Sequence, residues 1–213
     1  ANYFKGPQFF TWVKKPPCPR CGGKTEAAGP GTPTEEEKRK LANRVELYRC
    51  PCGGEARFPR YNCARTLLFE SRTGRCGEFA NAFVPCLRAC GFEARYVWDS
   101  TDHVWAEAWS VDQKRWLHVD PCEKAVDRPR MYERGWGKQL ACILAFGRDE
   151  TVDVTRRYTR DVGACMSRRD EGHGWHTAPE SCVASAVAAA DALARSLAAD
   201  DAWARSRDER RAA

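Results

Sequence analysis

Cys76 stands in TGRCGEF, where polar turn residues give way to a helical pattern, and this is the first position in the 213-residue sequence with a chemical use. Unpaired N–H groups and the macrodipole at a helix N-terminus favour a thiolate, which is how a cysteine becomes a nucleophile. Glu78 in the same turn opposes this by like-charge repulsion, so a general base is still required. A cysteine at a helix start is more often a core residue than a catalyst, and what the chain brings to it decides between the two.

His103 and Asp120 are the residues it brings. HVWAEAWS and RWLHVDP alternate with period two, the mark of strands. If they form a hairpin through two or four residues around Val111 to Lys114, an odd residue on one strand shares a face with an even residue on the other. His103, Trp105, Glu107 and Trp109 then share a face with Trp116, His118 and Asp120. A two-residue loop sets His103 opposite Asp120, and a four-residue loop makes them diagonal neighbours within reach. A carboxylate that orients an imidazole, which deprotonates a thiol, is the cysteine form of the catalytic triad. The plainer alternative is a partly buried histidine satisfied by an aspartate, and the pattern leaves both open. His118 is a rival base or a structural partner of Asp120, whereas His173 and His176 have no accompanying carboxylate or cysteine pattern.

A second constellation is soft and metal-like. Cys18-Pro-Arg-Cys21 and Cys50-Pro-Cys52 offer four thiolates in two knuckles, the donor set of a tetrahedral structural zinc ion. The second knuckle is one residue short, and Cys63 is the substitute ligand if Cys52 does not reach. Incidental thiols or a CxxC redox pair are the alternatives, the latter without the βαβ pattern that usually surrounds it.

The elements that must position these groups are legible in outline. Thr34 precedes EEEKRK as a helix cap, and Val45 and Leu47 read as a strand entering the second knuckle. From Thr73, Cys76, Ala80, Phe83, Leu87 and Cys90 recur on one helical face, Gly91 is the stop and Pro85 is expected to kink the helix. ARYVWD, HVWAEAWS and RWLHVDP then predict an antiparallel sheet, and Cys86, Cys90 and Cys142 read as small core residues. After Tyr158 the alternation ends. Val183, Val187, Leu193 and Leu197 in an alanine-rich stretch predict a helix, with Trp203 anchoring a second, and these helices either pack on their own core or present a partner-binding face.

Length and composition bound the rest. The chain is long enough for a real core, which excludes a mini-protein. Twelve cysteines without a signal-peptide pattern predict reduced thiols, and no apolar run nears the roughly 18 residues of a membrane span, so a soluble protein is expected. The net charge of +6 arises in residues 1–60, where 12 Lys/Arg face 6 Asp/Glu. Beside paired cysteines this suits either a nucleic-acid-binding zinc module or an ordinary solvated basic face, and nucleic acid is the less expected partner.

GRCGEFAN, EARYVWDSTDHVWAEAW, RWLHVDPCE and GWGKQLACILAFGRDETVDVTRRY resemble the transglutaminase-like core of the cytoplasmic peptide:N-glycanase family, and the resemblance runs from FKGPQFFTWV to about Tyr158. It implies an α+β papain/transglutaminase-like fold, a nucleophile helix packed on an antiparallel sheet, with a zinc-knuckle subdomain and C-terminal helices. The corresponding division is 1–72, 73–160 and 161–213. It implies a catalytic triad of Cys76, His103 and Asp120, a structural zinc ion on Cys18, Cys21, Cys50 and Cys52, and glycan contacts from Trp12, Trp105, Glu107 and Glu123. The backbone N–H of Cys76 is one candidate oxyanion donor, and Trp12 of QFFTWV, which resembles a segment near the family's active site, is another. The implied activity is hydrolysis of the glycan–asparagine amide of misfolded N-glycoproteins in the cytoplasm or nucleus. LAADDAWARSRDERR loosely resembles the region that binds a proteasome shuttle protein of the Rad23 type. A cysteine protease or crosslinking transglutaminase with the same triad, and a non-catalytic scaffold binding DNA or an adaptor, are the competing functions.

Overall fold

The computed structural model describes residues 1–172 and 178–198. After a two-residue strand β1 (Thr11–Trp12), three strands form a small antiparallel sheet in the order β2 (Glu26–Gly31), β3 (Val45–Arg49), β4 (Glu55–Pro59). Helix α1 (Glu35–Arg39) lies between β2 and β3. Thr34 caps it as predicted: its hydroxyl accepts from the Glu37 N–H, and the Glu37 carboxylate accepts from the Thr34 N–H. The sheet has its own cluster of Tyr48, Ala56 and Phe58, with Val13 packed against it. A short α2 (Ala64–Thr66) runs through a π-turn at Leu67–Ser71 into β5 (Thr73–Gly74), which pairs in parallel with β1.

Helix α3 (Cys76–Ala89) then begins at Cys76, continues through Pro85 and ends before Gly91, whose φ of +85° is the left-handed conformation a helix stop requires. The main sheet is antiparallel and six-stranded, in the order β11-β10-β6-β7-β8-β9. Its members are β6 (Ala94–Asp99), β7 (His103–Ser110), β8 (Arg115–Asp120), β9 (Ala125–Val126), β10 (Ile143–Phe146) and β11 (Thr151–Asp153), with α4 (Met131–Arg134) between β9 and β10. Ser110 pairs with Arg115, so the β7–β8 hairpin has the four-residue loop, and Glu107 pairs with His118 and Trp109 with Trp116. The predicted shared face follows, with His103 and Asp120 as diagonal neighbours.

The two faces of this sheet bury different things. Ala94, Ala106 and Ala108 leave room for α3, whose Phe79 and Phe83 meet Phe4 and Phe10 from the N-terminal segment. On the other face Val97 and Trp105 are covered by Tyr132, Leu140, Ile143, Val154 and Tyr158. Cys142 is buried as predicted, but Cys90 is exposed, because it falls on the last turn where α3 leaves the core.

Beyond Tyr158, the end of α5 (Thr155–Tyr158), lie α6 (Val162–Asp170) and α7 (Glu180–Leu197). Buried Arg169 of α6 pairs with Asp153 at 2.8 Å and with Glu180, and Asp191 of α7 accepts from the Thr151 N–H at 3.0 Å. Leu197 is 74% exposed and Leu193 60%, so α7 docks by polar anchors and leaves these leucines facing outward. His173, His176, Trp203 and the sequence from Ala199 onward lie outside the described residues. Among the described residues no helix is long and apolar enough to cross a membrane.

Candidate active site

The start of α3 is built around a buried glutamate. Glu78 Oε2 accepts from the Arg75 N–H at 2.8 Å, and the Arg60 guanidinium donates to both Glu78 oxygens at 2.7 and 2.9 Å. The repulsion that the sequence suggested between Glu78 and Cys76 is therefore offset by a bidentate cation. Gly74 is required for this close fold-back, since a Cβ there would lie 2.2 Å from Glu78 Cβ. The β1–β5 pair places Trp12 beside Gly74, two residues before Cys76, and Trp12 is 40% exposed.

His103 opens β7 and is buried, with Nε2 2.8 Å from Asp120 Oδ2. Asp120 is an acceptor on both oxygens: Oδ1 takes the backbone N–H groups of Cys122 and Glu123 at 2.8 and 3.2 Å, and Oδ2 also takes the Tyr132 hydroxyl at 2.8 Å. The direction of the network follows from its far end. The Arg128 N–H donates to His118 Nδ1, so His118 Nε2 carries the proton it gives to Tyr132 Oη at 2.7 Å, and the Tyr132 O–H is left to donate to Asp120. Asp120 then fixes the proton of His103 on Nε2 and leaves Nδ1 for Cys76, which lies within interaction distance of the imidazole.

Electrostatics follow the same lines. Burial pushes the His103 imidazole down, but its bonds to Asp120 and Cys76 outweigh this and raise it to about 9. Burial likewise pushes Asp120 up, and the bonds from His103, Tyr132 and the Glu123 N–H hold it below its ordinary value. His103 is thus a cation at neutral pH facing a cysteine at a helix start. His118 is the opposite case: burial lowers it to about 4, so it is neutral and structural rather than a rival base.

That difference gives a pH prediction. A histidine whose pKa falls on folding stabilises the fold above its ordinary value of 6.5, and that contribution is lost as pH falls toward 4. The loss amounts to up to about 3 kcal/mol. Denaturant midpoints compared at about pH 6.5 and 4.5 should fall more steeply for the native protein than for His118→Gln, whose amide never acquires the charge. Parallel losses in the two proteins would remove His118 from this role.

Two predicted glycan contacts are not available to a ligand. Trp105 is 0% exposed, stacks on Tyr132 and donates its indole N–H to Tyr158 Oη at 2.8 Å. Glu107 is 1% exposed and accepts from the Tyr158 hydroxyl at 2.6 Å and from Arg95 Nε at 2.7 Å, in an ion pair that Glu150 extends. Strand alternation placed both on the correct face, but the chain after residue 130 covers that face. Glu123 is exposed, one turn from Asp120. The sequence reading missed Tyr132, which supports Asp120, and Trp136, which is 44% exposed and packs edge-on to His103 with ring centroids 4.9 Å apart. A tryptophan between two glycines, in a stretch without strand or helix periodicity, was the available signal for Trp136.

The four cysteines meet. The Sγ atoms of Cys18, Cys21, Cys50 and Cys52 all lie within 4.8 Å of one another, with Cys18–Cys52 at 3.6 Å and Cys21–Cys50 at 3.5 Å. A tetrahedron with metal–sulfur bonds of about 2.3 Å has edges of about 3.8 Å, so the cluster fits a metal ion of that preference. The short second knuckle works because two glycines follow it. Gly53 has φ +79° and its N–H returns to Cys50 O at 2.9 Å, while a Cβ on Gly54 would lie 2.5 Å from Cys18 Sγ. Cys52 is the fourth member of the cluster, and Cys63 sits apart at the start of α2.

Residues 24–121 match the family model of the transglutaminase-like superfamily, and residues 98–178 match that of the Rad4 transglutaminase-like domain. The chain is 54% identical over 170 residues to a Gallus gallus protein named peptide-N(4)-(N-acetyl-beta-glucosaminyl)asparagine amidase, covering 79% of this chain and 26% of that protein. It is 52% identical over 160 residues to the protein of the same name from Eremothecium gossypii, covering 74% of this chain and 45% of that one. The chain thus spans between about a quarter and a half of the curated relatives it matches. A solved Rad4-Rad23 complex bound to a 6-4 photoproduct UV lesion aligns with 59% of this chain and 32% of the other at 21% identity and a TM-score of 0.45.

Proposed function

The chain belongs to the transglutaminase-like superfamily and, within it, to the peptide:N-glycanase family, and from that premise we propose that it hydrolyses the amide bond between an N-linked glycan and its asparagine. The observation that carries this reading is the single direction of the network Arg128–His118–Tyr132–Asp120–His103, which leaves the imidazole with Nδ1 toward Cys76. Cys76 gives its proton to His103 and attacks the carbonyl carbon of the asparagine side chain, and His103 passes that proton to the leaving glycosylamine nitrogen as the C–N bond breaks. Water, deprotonated by His103, then cleaves the thioester and leaves aspartate. Asp120 balances the imidazolium while His103 carries both protons and keeps the remaining proton on Nε2 once the other has been given up. The Cys76 N–H and Trp12 are the proposed oxyanion donors, supported by the place of both at the N-terminus of α3. Trp12 and Trp136 replace Trp105 as the exposed aromatic faces for sugar rings, with Glu123 as the polar contact.

Cys18, Cys21, Cys50 and Cys52 would hold zinc, which ties the two knuckles together and takes no part in the reaction. The substrates we propose are misfolded N-glycoproteins in the reducing cytoplasm or nucleus, where free thiols at Cys76 and the cluster persist. A shuttle protein of the Rad23 type remains the proposed partner for the C-terminal segment, which lies outside the described residues.

The test is a denatured N-glycopeptide incubated with the protein and weighed. Free glycan with asparagine converted to aspartate is the expected result. An intact glycopeptide, with Cys76 reduced and open to alkylation, would refute the amidase reading.

A further inference from the structure

Arg75 is an odd choice for the residue that precedes a helix. Serine, threonine, aspartate and asparagine serve there because their side chains accept the first free N–H groups, and a guanidinium cannot. Here the Glu78 carboxylate reaches back to the Arg75 N–H instead, and the Arg75 side chain leaves the helix altogether. Its Nη1 and Nη2 donate to the two oxygens of Glu46 on β3 at 3.1 and 2.8 Å, and Nη2 also donates to Tyr48 Oη at 2.8 Å. Nε and Nη2 reach back to the carbonyls of Val13 and Lys14 at 3.2 and 2.8 Å. Arg60 bridges Glu46 to Glu78, donating to the first at 3.1 Å and to the second at 2.7 Å. Glu46 also accepts from the Tyr48 hydroxyl at 2.7 Å and from Arg44 at 3.3 Å, so both its oxygens are occupied.

The backbone N–H of Arg75 is therefore fixed by Glu78, and its side chain by the small sheet and by the chain just after β1. The peptide between these anchors and His103 carries Cys76. The geometry points to Glu46 and Arg75 as positioning residues that set the Cys76 sulfur against His103, so that the small sheet, and not only the helix, determines the reactivity of the nucleophile. This inference rests on the reading of Cys76 as nucleophile. Its physical basis is leverage: a displacement of about 1 Å at a reacting atom is enough to cost up to about a hundredfold in rate.

A network that only stabilised the fold would lower the melting temperature of a variant and leave the chemistry of the folded molecule alone. The experiment measures the alkylation rate of Cys76 by iodoacetamide, read by fragment mass across about pH 5 to 9, together with kcat and KM on the glycopeptide. It compares native protein, Glu46→Gln, Tyr48→Phe and Arg75→Lys under conditions where each is folded. Glu46→Gln is expected to slow alkylation and lower kcat by about tenfold with KM within about twofold, and Arg75→Lys to fall similarly because ammonium lacks the forked geometry. Tyr48→Phe, which keeps the ion pair, should lose about two- to threefold. Alkylation rates and pH profiles equal to the native protein in the folded variants would overturn the proposal. If Glu46→Gln does not fold, Arg75→Lys and Tyr48→Phe decide by the same readout. Alkylation altered as expected in a protein that never cleaves the glycopeptide would uphold the positioning role and refute the amidase instead.

Discussion

Asp120→Asn is expected to lower kcat by about 10³- to 10⁴-fold while leaving KM within about threefold. The carboxylate receives four hydrogen bonds, two on each oxygen, and all four partners are donors. An amide has one acceptor atom. If its oxygen takes the place of Oδ2, the NH2 group meets the N–H groups of Cys122 and Glu123; if the amide flips, the NH2 meets His103 and Tyr132. The cheaper escape is for His103 to become neutral with its one proton on Nδ1 instead of Nε2, which lets Nε2 accept from the amide but leaves an N–H toward Cys76. The base is then in the wrong tautomer, and the imidazolium loses the charge that raised it to about 9. Stability should fall as well, by about 1–3 kcal/mol for each buried donor left unmet. Single-turnover cleavage of a glycopeptide measures the first effect and denaturant unfolding the second. A kcat within tenfold of the native protein would mean that Asp120 does not set the tautomer.

The largest expected effect on stability is in the small sheet of β2, β3 and β4. Removing the proposed zinc ion with a chelator near neutral pH should unfold the sheet of β2, β3 and β4. Tyr48, Ala56 and Phe58 are a small core for three strands, and a structural zinc site contributes about 10–16 kcal/mol, comparable with the whole stability of a domain. Tm is therefore expected to fall by more than about 10 °C, with backbone amides of β3 and β4 losing their protection from exchange. Cys52→Ser should abolish stoichiometric metal and Cys63→Ser should retain it, since only the former touches the cluster. An unchanged melt after chelation, or a full equivalent of metal on Cys52→Ser, would dismiss the site.

What was legible in the sequence is what depends on local rules. The parity of strand pairing alone puts His103 and Asp120 on one face, and the register of Ser110 with Arg115 selects the longer of the two loops. Two cysteine knuckles were visible as spacing, and the glycines that let the shorter one close were present in the same motif. Parity could not say whether the shared face is open. Trp105 and Glu107 are closed off by Tyr132 and Tyr158, which come from segments where no period of two or of 3.6 ties them to that face. The pairing of Arg60 with Glu78 spans 18 residues and two elements, and no propensity or motif encodes it. Long-range charge matching of this kind is a property of the folded molecule, so the sequence suggests a repulsion at Glu78 that the structure neutralises.

The parallel contact of β1 with β5 has a kinetic consequence. Thr11 pairs with Thr73 and Trp12 with Gly74, and Arg75 reaches Lys14 across 61 positions of chain. Closing a loop of that length is entropically costly and slow compared with winding α3, whose contacts are local. A partly unfolded copy that has lost this contact can keep α3 packed on the sheet through Phe79 and Phe83 while its first turn is unclamped. If Arg75 positions Cys76 as proposed, winding α3 alone does not confer the thiol's reactivity, which also requires this long-range contact.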